Sequence, residues 1–381
     1  MRSPTGHPWH HLGISTEASS VPATSTLDRA EGGVWDGEPS DSAQAPIAPR
    51  GMAALAPSLV LGVIMLAVMF AVSASYDLPV RDADGILGSR FGLLVMTIAA
   101  FVAIDVVPRA GSRVGWDLRR LWTSVVQVTR QRWSGRRLAI VALGIVAFYA
   151  TYLAYRNLKS FLPLITPQDL DWDLLRLEQD ALGGTHPPEV LHTLLGTGVS
   201  AHVLSWVYIF FLAFVPISLG ASLIASINPL PGLWWVLTLG MNWTLGTISY
   251  YLVPSMGPYF IEPGLFSDLP ETGVSQLQGT LITERAAVLA DPMATNAVQS
   301  IAGFASLHVS IVFSAALIVH LLGLARGLRI AMWTFLGLTL LATVYFGWHY
   351  VLDDVAGLAI GGFAVWISAL LTGNRAALRR R

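Results

Sequence analysis

Long apolar segments recur along this chain of 381 residues, and polar stretches separate each segment from the next. Each apolar segment has about 20 residues, the length with which an α-helix crosses the roughly 30 Å hydrocarbon layer of a membrane. The segments lack the alternation of a membrane β-barrel strand, so the pattern predicts helices. The predicted spans are 53–75, 88–107, 138–158, 202–226, 231–253, 305–323, 330–347 and 349–372.

The composition supports this prediction, since 54% of the residues are hydrophobic and 12% are charged. Soluble domains carry about 25% charged residues, so a soluble globular enzyme and a disordered chain are both excluded. The absence of cysteine excludes disulfides and thiolate metal sites. No internal repeat is evident, so an inverted-repeat transporter gains no support. The expected fold is an all-α polytopic membrane helix bundle with about eight transmembrane spans.

The chain divides into four predicted regions. Residues 1–50 are rich in Pro, Ser, Thr and Gly without an apolar period, so we expect a disordered tail. A signal peptide cleaved after residues 71–75 is the alternative for the first span. Residues 51–137 hold two spans and a basic loop, residues 138–372 hold the other six spans, and residues 373–381 form a basic tail.

The charges between the spans are distributed unevenly. The loop 109–137, the turn after the sixth span and the C-terminal tail together hold 14 basic residues and one acidic residue. Eight spans place these three segments on one side, which the positive-inside rule identifies as the cytoplasm. The loops on the other side hold four basic and sixteen acidic residues. We expect a plasma-membrane protein with both termini in the cytoplasm.

Three stretches between the spans carry further patterns. Arginines mix with apolar residues over 113–132, which predicts either an amphipathic helix on the inner leaflet or an ordinary basic loop. In the loop 159–201, apolar residues recur at helical intervals among acids, which predicts an amphipathic helix that lies on the outer surface and covers a functional site. The loop 254–304 is long enough for a lid or an acceptor-binding element, and a loosely ordered connector is the alternative.

Ionisable side chains collect at the extracytoplasmic end of the predicted bundle, where burial makes them costly and therefore candidates for function. His349 and Asp353 are four residues apart and are expected to share one face of a helix. The carboxylate can accept the Nδ1 proton and leave Nε2 as a nucleophile. His308 can protonate a leaving oxygen, and Ser306 with the backbone N–H groups that open the sixth span can hold phosphate oxygens. This set predicts phosphoryl transfer, and a structural histidine–aspartate pair is the alternative.

Groups that would bind the substrate are expected nearby. Arg156, Asn157 and Lys159 end the third span at the same depth, and Lys159 is the only lysine in the sequence. A cation there would neutralise charge that develops on a phosphoryl group. The alternative is that Lys159 and Arg156 only extend towards the lipid headgroups. Tyr259 follows prolines that end the fifth span, and we expect it to line a headgroup pocket.

These residues resemble the type-2 phosphatidic acid phosphatase superfamily over roughly residues 138–372. Ala305-Ser306-Leu307-His308 matches the family's P-S-x-H motif except for alanine in place of proline, and His349 with Asp353 matches its H-x-x-x-D motif. The sequences Ser-Leu-His and His-Tyr-x-x-Asp-x-x-Ala-Gly are more similar to the inositolphosphotransferase branch, which includes the fungal inositol phosphorylceramide synthases. The resemblance implies a metal-independent site in a six-helix core. It also implies that His349 forms a phosphohistidine, Asp353 orients His349, His308 is the general acid and Ser306 binds phosphate.

The chain departs from the family's pattern at two arginines. The third motif usually starts with Ser-Arg seven and six residues before its histidine, where this chain has Ala342 and Thr343. The first motif, K-x6-R-P, has no clean match, because Leu162 precedes Pro163. The missing arginines weaken a plain phosphomonoesterase function more than they weaken the transferase branch.

We therefore expect a membrane enzyme that cleaves a lipid phosphate, such as phosphatidate or a polyprenyl (di)phosphate, at the extracytoplasmic face. The phosphoryl group would pass to water or to an alcohol acceptor. Membrane lipids are the expected partners, with no nucleic acid, no metal and no other cofactor. A lipid-phosphate carrier or flippase-like transporter that binds without hydrolysis is the main alternative. A scaffold whose arginine loop or tail recruits a partner is a further one.

Overall fold

The structure, a computed structural model, describes residues 47–82, 85, 91–224 and 228–379. The described residues form helices joined by turns, and no strand occurs among them, which confirms the all-α fold. The predicted disordered tail lies outside the described residues except for 47–50, with which the first helix begins.

Fourteen α-helices are described in these residues, and each of the eight predicted spans coincides with one of them. The helices are α1 (Ile47–Tyr76), α2 (Phe91–Arg113), α3 (Leu118–Arg132), α4 (Gly135–Ile165), α5 (Asp171–Ala181), α6 (Pro187–Leu195), α7 (Val199–Ile224), α8 (Leu230–Leu252), α9 (Pro258–Ile261), α10 (Gly273–Ala290), α11 (Leu307–Leu321), α12 (Arg326–Tyr345), α13 (Val351–Leu371) and α14 (Arg375–Leu378).

Five helices among the described residues combine the length and the apolar composition that a membrane crossing needs, namely α1, α4, α7, α12 and α13. Helix α11 is apolar as well but has 15 residues. These helices make the chain an integral membrane protein, and the number of eight crossings stays a prediction.

The stretches between the apolar helices are largely helical too. Helix α3 lies in the arginine-rich loop and is amphipathic, because Leu121, Val125 and Val128 pack against α2 whereas its arginines at 119, 120 and 130 are exposed. This confirms the helical interpretation of that loop. Helix α5 likewise confirms the helix expected in the loop 159–201, and the loop 254–304 contains α9 and α10.

Helix α8 lies at the centre of the bundle and packs against α1, α4, α7, α11 and α13. Fourteen of its 23 residues are buried, and the large indole of Trp234 is completely so. Trp234 Nε1 donates a hydrogen bond to the carbonyl oxygen of Val365 at 3.0 Å. An indole N–H in a water-free interior needs such an acceptor, so this bond stabilises the packing of α8 on α13.

Two glycines allow α13 to approach α11 closely. A β-carbon at Gly357 would lie 2.4 Å from the carbonyl oxygen of Ser306, and one at Gly361 would lie 2.5 Å from that of Ser310. Small residues four positions apart commonly mediate such contacts between membrane helices. The close approach lets the Ser306 N–H donate to the Asp353 carbonyl oxygen at 3.0 Å. The first turns of the two helices that carry candidate residues are thereby held together.

Candidate active site

His349 lies in the turn between α12 and α13, where its side chain is 5% exposed. The expectation that His349 shares a helix face with Asp353 is wrong in detail, because α13 begins only at Val351, after Tyr350 with extended backbone angles. The two side chains nevertheless meet, with His349 Nδ1 3.3 Å from Asp353 Oδ2. The same carboxylate oxygen accepts the Tyr350 backbone N–H at 3.1 Å. The start of the helix therefore holds the carboxylate against the imidazole.

The second candidate histidine, His308, lies in the first turn of α11. Its ring centroid is 6.1 Å from that of His349. Tyr208 stacks on the His308 ring with centroids 4.4 Å apart, and Phe211 contacts it from α7 at 4.2 Å. His308 Nε2 is buried and has no hydrogen-bond partner among the described residues. This nitrogen is therefore open to a bond with a substrate oxygen.

Both histidines line a cavity of about 850 Å³. Its wall is formed mainly by aromatic and aliphatic side chains from α2, α4, α7, α8 and α10. The indole nitrogens of Trp243 and Trp348, two further lining residues, are buried without a hydrogen-bond acceptor among the described residues. The cavity thus joins a largely apolar wall to a few donors, which is the usual character of a ligand site.

Lys159 and Arg156 line the same cavity from α4, which extends to Ile165 and therefore includes both. Lys159 Nζ lies 4.8 Å from the centroid of the Tyr250 ring and 3.4 Å from the hydroxyl of Tyr155, to which it donates. The structure therefore brings the candidate cations and the candidate histidines to one cavity.

Ser306 is fully buried and caps α11, and its hydroxyl accepts the Val309 N–H at 3.5 Å. It is not among the described residues that line the cavity. Its hydroxyl also interacts with Asp354, a buried residue that sequence reasoning left out of the site. The Asp354 carboxylate accepts a hydrogen bond from Thr343 Oγ1 at 2.9 Å. Thr343 stands where the type-2 phosphatidic acid phosphatase motif usually has arginine, so Asp354 is in contact with that motif position. The sequence feature that could have indicated this role of Asp354 is the pair of adjacent acids, 353–354, in the first turn of a helix.

The structure places Asn157 and Tyr259 away from the cavity lining that it describes. Asn157 is 1% exposed, and its amide accepts from the Arg81 backbone N–H and donates to the Arg81 carbonyl oxygen, both at 2.8 Å. The Tyr259 ring packs against Phe260 and Phe266, while its backbone N–H donates to the carbonyl oxygen of Gly347 at 2.9 Å. These contacts give both residues structural roles.

Two buried carboxylates of α5 hold the backbone around His349. Asp171 accepts the N–H groups of Met256 at 2.6 Å and Gly257 at 2.8 Å, together with the Tyr350 hydroxyl at 3.1 Å. Glu178 accepts the N–H of Val351. Burial raises the pKa of each carboxyl to about 7, from a usual value near 4.

These two acids occupy positions that would normally be apolar. Asp171, Leu174, Leu175 and Glu178 form the buried stripe of α5, at the spacing of an amphipathic helix. Acids within such a stripe were the signal that sequence reasoning could have used. Among the described residues, no three His, Asp or Glu side chains are grouped closely enough to hold a metal ion.

Comparison with known proteins identifies a family for the region that contains this site. A model of the PAP2 superfamily matches residues 172–367, just over half of the chain. The match includes His308, His349 and Asp353 and begins after Arg156 and Lys159. No curated protein and no solved structure matches the chain.

Proposed function

The chain belongs to the PAP2 superfamily, and we propose that it is a membrane-embedded lipid-phosphate phosphatase or phosphotransferase that works through a phosphohistidine on His349. One observation carries this proposal. His308 and His349 line a single cavity with Lys159 and Arg156, and His349 is at the same time in contact with Asp353. A nucleophile, its orienting carboxylate, a second proton carrier and two cations are therefore grouped around a space that a ligand can enter.

The reaction proceeds in two steps. Asp353 accepts the Nδ1–H of His349, so the lone pair of Nε2 attacks the phosphorus atom. A phosphorus–nitrogen bond forms, the bond from phosphorus to the leaving oxygen breaks, and His308 transfers a proton from Nε2 to that oxygen. In the second step His308 accepts a proton from water or an alcohol, whose oxygen attacks phosphorus and releases His349.

Charge on the transferred group is neutralised by the protein itself in this proposal. Lys159 and Arg156 supply positive charge from the wall of the cavity. The indole N–H of Trp348 is a hydrogen-bond donor in the cavity wall. These groups make a metal-independent reaction the proposed mechanism.

A lipid is the proposed substrate because of the cavity wall. Most of the wall is apolar, and two of its residues on α7, Leu212 and Ile217, are 54% and 48% exposed. These exposed residues support a side opening towards the membrane through which an acyl or prenyl chain enters. The polar end of the cavity would then hold the phosphate at the level of the headgroups.

Charge supports an orientation with the site outside the cytoplasm of a plasma-membrane protein. On α4, Arg137 lies at the start and contacts the carbonyl oxygen of Ile224, whereas Lys159 lies near the opposite end. The arginine-rich loop therefore lies at one end of this helix and the candidate site at the other. By the positive-inside rule, eight crossings would put both termini in the cytoplasm and the site on the extracytoplasmic face.

A second cavity favours transfer to an alcohol, as in the inositolphosphotransferase-like branch. It has a volume of about 230 Å³ and shares Met256 and Ile301 with the larger cavity. Gln168, Asp169 and Arg285 line it and offer hydrogen bonds to a small polyhydroxy alcohol. An acceptor there would lie next to the phosphohistidine cavity.

The deciding experiment is phosphate release by detergent-purified protein from phosphatidate, a polyprenyl phosphate and a polyprenyl diphosphate, with His349→Ala assayed in parallel. Release that the substitution abolishes supports a phosphatase and names its substrate class. If no phosphate is released when water is the only acceptor, but a radiolabelled phosphoryl group appears on an added polyol, the transferase form is supported. Lipid binding without cleavage or transfer under any of these conditions would replace the enzyme proposal with a carrier.

A further inference from the structure

The large cavity extends from the histidines deep into the bundle. Along α7 its lining begins at Tyr208, which stacks on His308, and continues to Ile217. This interval corresponds to about 14 Å at the rise of 1.5 Å per residue in an α-helix. Along α4 the lining runs from Lys159 back to Phe148, which corresponds to about 16 Å. The lining residues on these two antiparallel helices therefore both indicate that the cavity reaches about 15 Å below its polar end.

The far end of the cavity is formed by α2. Thr97 and Phe101 of α2 both belong to the lining. A β-carbon at Gly220 would lie 2.5 Å from Cε2 and 2.6 Å from Cζ of the Phe101 ring. Gly220 follows Ile217, the deepest lining residue on α7, by almost one helical turn. The Phe101 ring is therefore pressed against α7 at the deep end of the cavity, opposite the histidines.

The position of Gly144 gives an independent check on this depth. A β-carbon at Gly144 would lie 3.6 Å from Leu223, so this part of α4 is level with the last turns of α7. Phe148, one turn later on α4, is the deepest lining residue of that helix and is therefore nearly level with Gly220. Both helices therefore place the deep end of the cavity, which we call its floor, at the height of Phe101.

Helix α2 lies outside the part of the chain that matches the PAP2 superfamily, which begins at residue 172. The catalytic candidates His308, His349 and Asp353 lie within that part. The Phe101 ring and these catalytic candidates therefore come from different regions of the sequence. Such a division allows the chain preference to vary without change to the phosphate end.

We propose that Phe101 is a specificity-determining residue that sets the length of the hydrocarbon chain accepted by the site. This inference rests on the proposed function, because it takes a lipid phosphate as the ligand. With the phosphate at His349, the end of a chain that fills the cavity meets the Phe101 ring. Longer chains are disfavoured because the ring, backed by the α7 backbone at Gly220, cannot retreat in that direction.

The test compares kcat/KM for dihexanoyl, didecanoyl and dipalmitoyl phosphatidate in the full-length protein. Phe101→Ala deepens the floor, so the ratio of long-chain to short-chain kcat/KM should rise on the order of tenfold. Phe101→Trp raises the floor and should lower that ratio. Gly220→Ala displaces the ring and should alter the ratio as well. Phe70→Ala is the matched control, since Phe70 lies on α1, is 56% exposed and is not among the lining residues.

The outcomes separate the two proposals. If the unsubstituted protein cleaves these lipids but both Phe101 variants keep its chain-length profile, the inference about Phe101 is overturned and the proposed function stands. If the unsubstituted protein cleaves none of the three and transfers phosphate from none of them to a polyol, phosphatidate processing itself fails. Opposite shifts for Phe101→Ala and Phe101→Trp, with the Phe70→Ala profile unchanged, support the inference.

Discussion

The Glu178 carboxylate accepts a hydrogen bond from the backbone N–H of Val351, two residues after His349. The two residues are 173 positions apart in sequence. An acid at this place satisfies a backbone donor at the start of α13. Helix α5 therefore holds the turn that positions His349 over Asp353.

We expect Glu178→Ala to lower kcat about tenfold while KM changes little, because a loosened helix start displaces His349 from Asp353. Glu178→Gln retains an oxygen acceptor and should restore most of the rate. Steady-state phosphate release measures both values. Glu189→Ala on α6 is a matched control at an exposed acid. A loss in Glu178→Gln as large as in Glu178→Ala would contradict the positioning role.

The stability of the protein should depend on pH through Glu178. Burial raises the pKa of this carboxyl from 4.5 to about 7, so the folded protein holds the proton more tightly than the unfolded chain does. The resulting stabilisation is complete below the unfolded pKa and is lost as the pH rises through about 7. The thermal midpoint of Glu178→Gln relative to the unsubstituted protein should therefore rise between about pH 5 and about pH 8. Parallel profiles of the two proteins would show that Glu178 does not titrate in this range.

A covalent intermediate is expected on His349. Rapid acid-free quenching of a reaction with radiolabelled substrate should trap a phosphorylated protein that is stable to base and labile to acid. His349→Ala should show no label and at least about a thousandfold lower kcat. Asp353→Asn should retain slow labelling with a loss of about 10²–10⁴-fold, because it orients His349 without touching the phosphorus. Label that persists in His349→Ala would assign the nucleophile to another residue.

Activity should survive the removal of divalent metal ions. The proposed mechanism neutralises phosphoryl charge with Lys159 and Arg156, so EDTA should leave kcat unchanged within about twofold. Vanadate should inhibit, because it takes up a fifth ligand as phosphorus does in the transition state. Inactivation by EDTA that added Mg²⁺ or Mn²⁺ reverses would refute a metal-free mechanism.

The orientation in the membrane can be read by cysteine labelling, since the chain contains no cysteine. Thr283→Cys on α10 and Thr123→Cys on α3 introduce thiols at exposed positions of the two opposing loops. In intact cells a membrane-impermeant maleimide should label Thr283→Cys, and it should label Thr123→Cys only after permeabilisation. The unsubstituted protein gives the background. The reverse pattern would place the site on the cytoplasmic face.

Much of the helical framework could be predicted, because a membrane crossing requires about 20 apolar residues whatever the neighbouring helices are. All eight apolar segments form helices, although five of them meet both the length and the composition of a span. Boundaries were less accurate. The third predicted span ends at residue 158, whereas α4 continues to Ile165, since polar side chains such as Lys159 point into a cavity and need not end a helix.

The parts of the candidate site that could be predicted are those whose residues lie close together in the sequence. His349 and Asp353 are four positions apart and are in contact, while Ser306 and His308 belong to the same helix start. Asn157 was selected by its depth and chemistry, and Tyr259 by its position after the prolines that end the fifth span. Neither criterion decides which way a side chain points. Asp354 was missed because its burial depends on Thr343 and Ser306, which other segments supply.

The all-α membrane class and the types of residues available for phosphoryl transfer follow from the amino-acid sequence alone, since both depend on hydrophobic length and side-chain chemistry. Which of these residues meet depends on the packing of the helices. Glu178 with Val351, His308 with Tyr208, and Phe101 with Gly220 are contacts between segments far apart in the chain. Such contacts depend on how the helices pack, and a hydrophobic pattern does not encode the identity of a helix's neighbours.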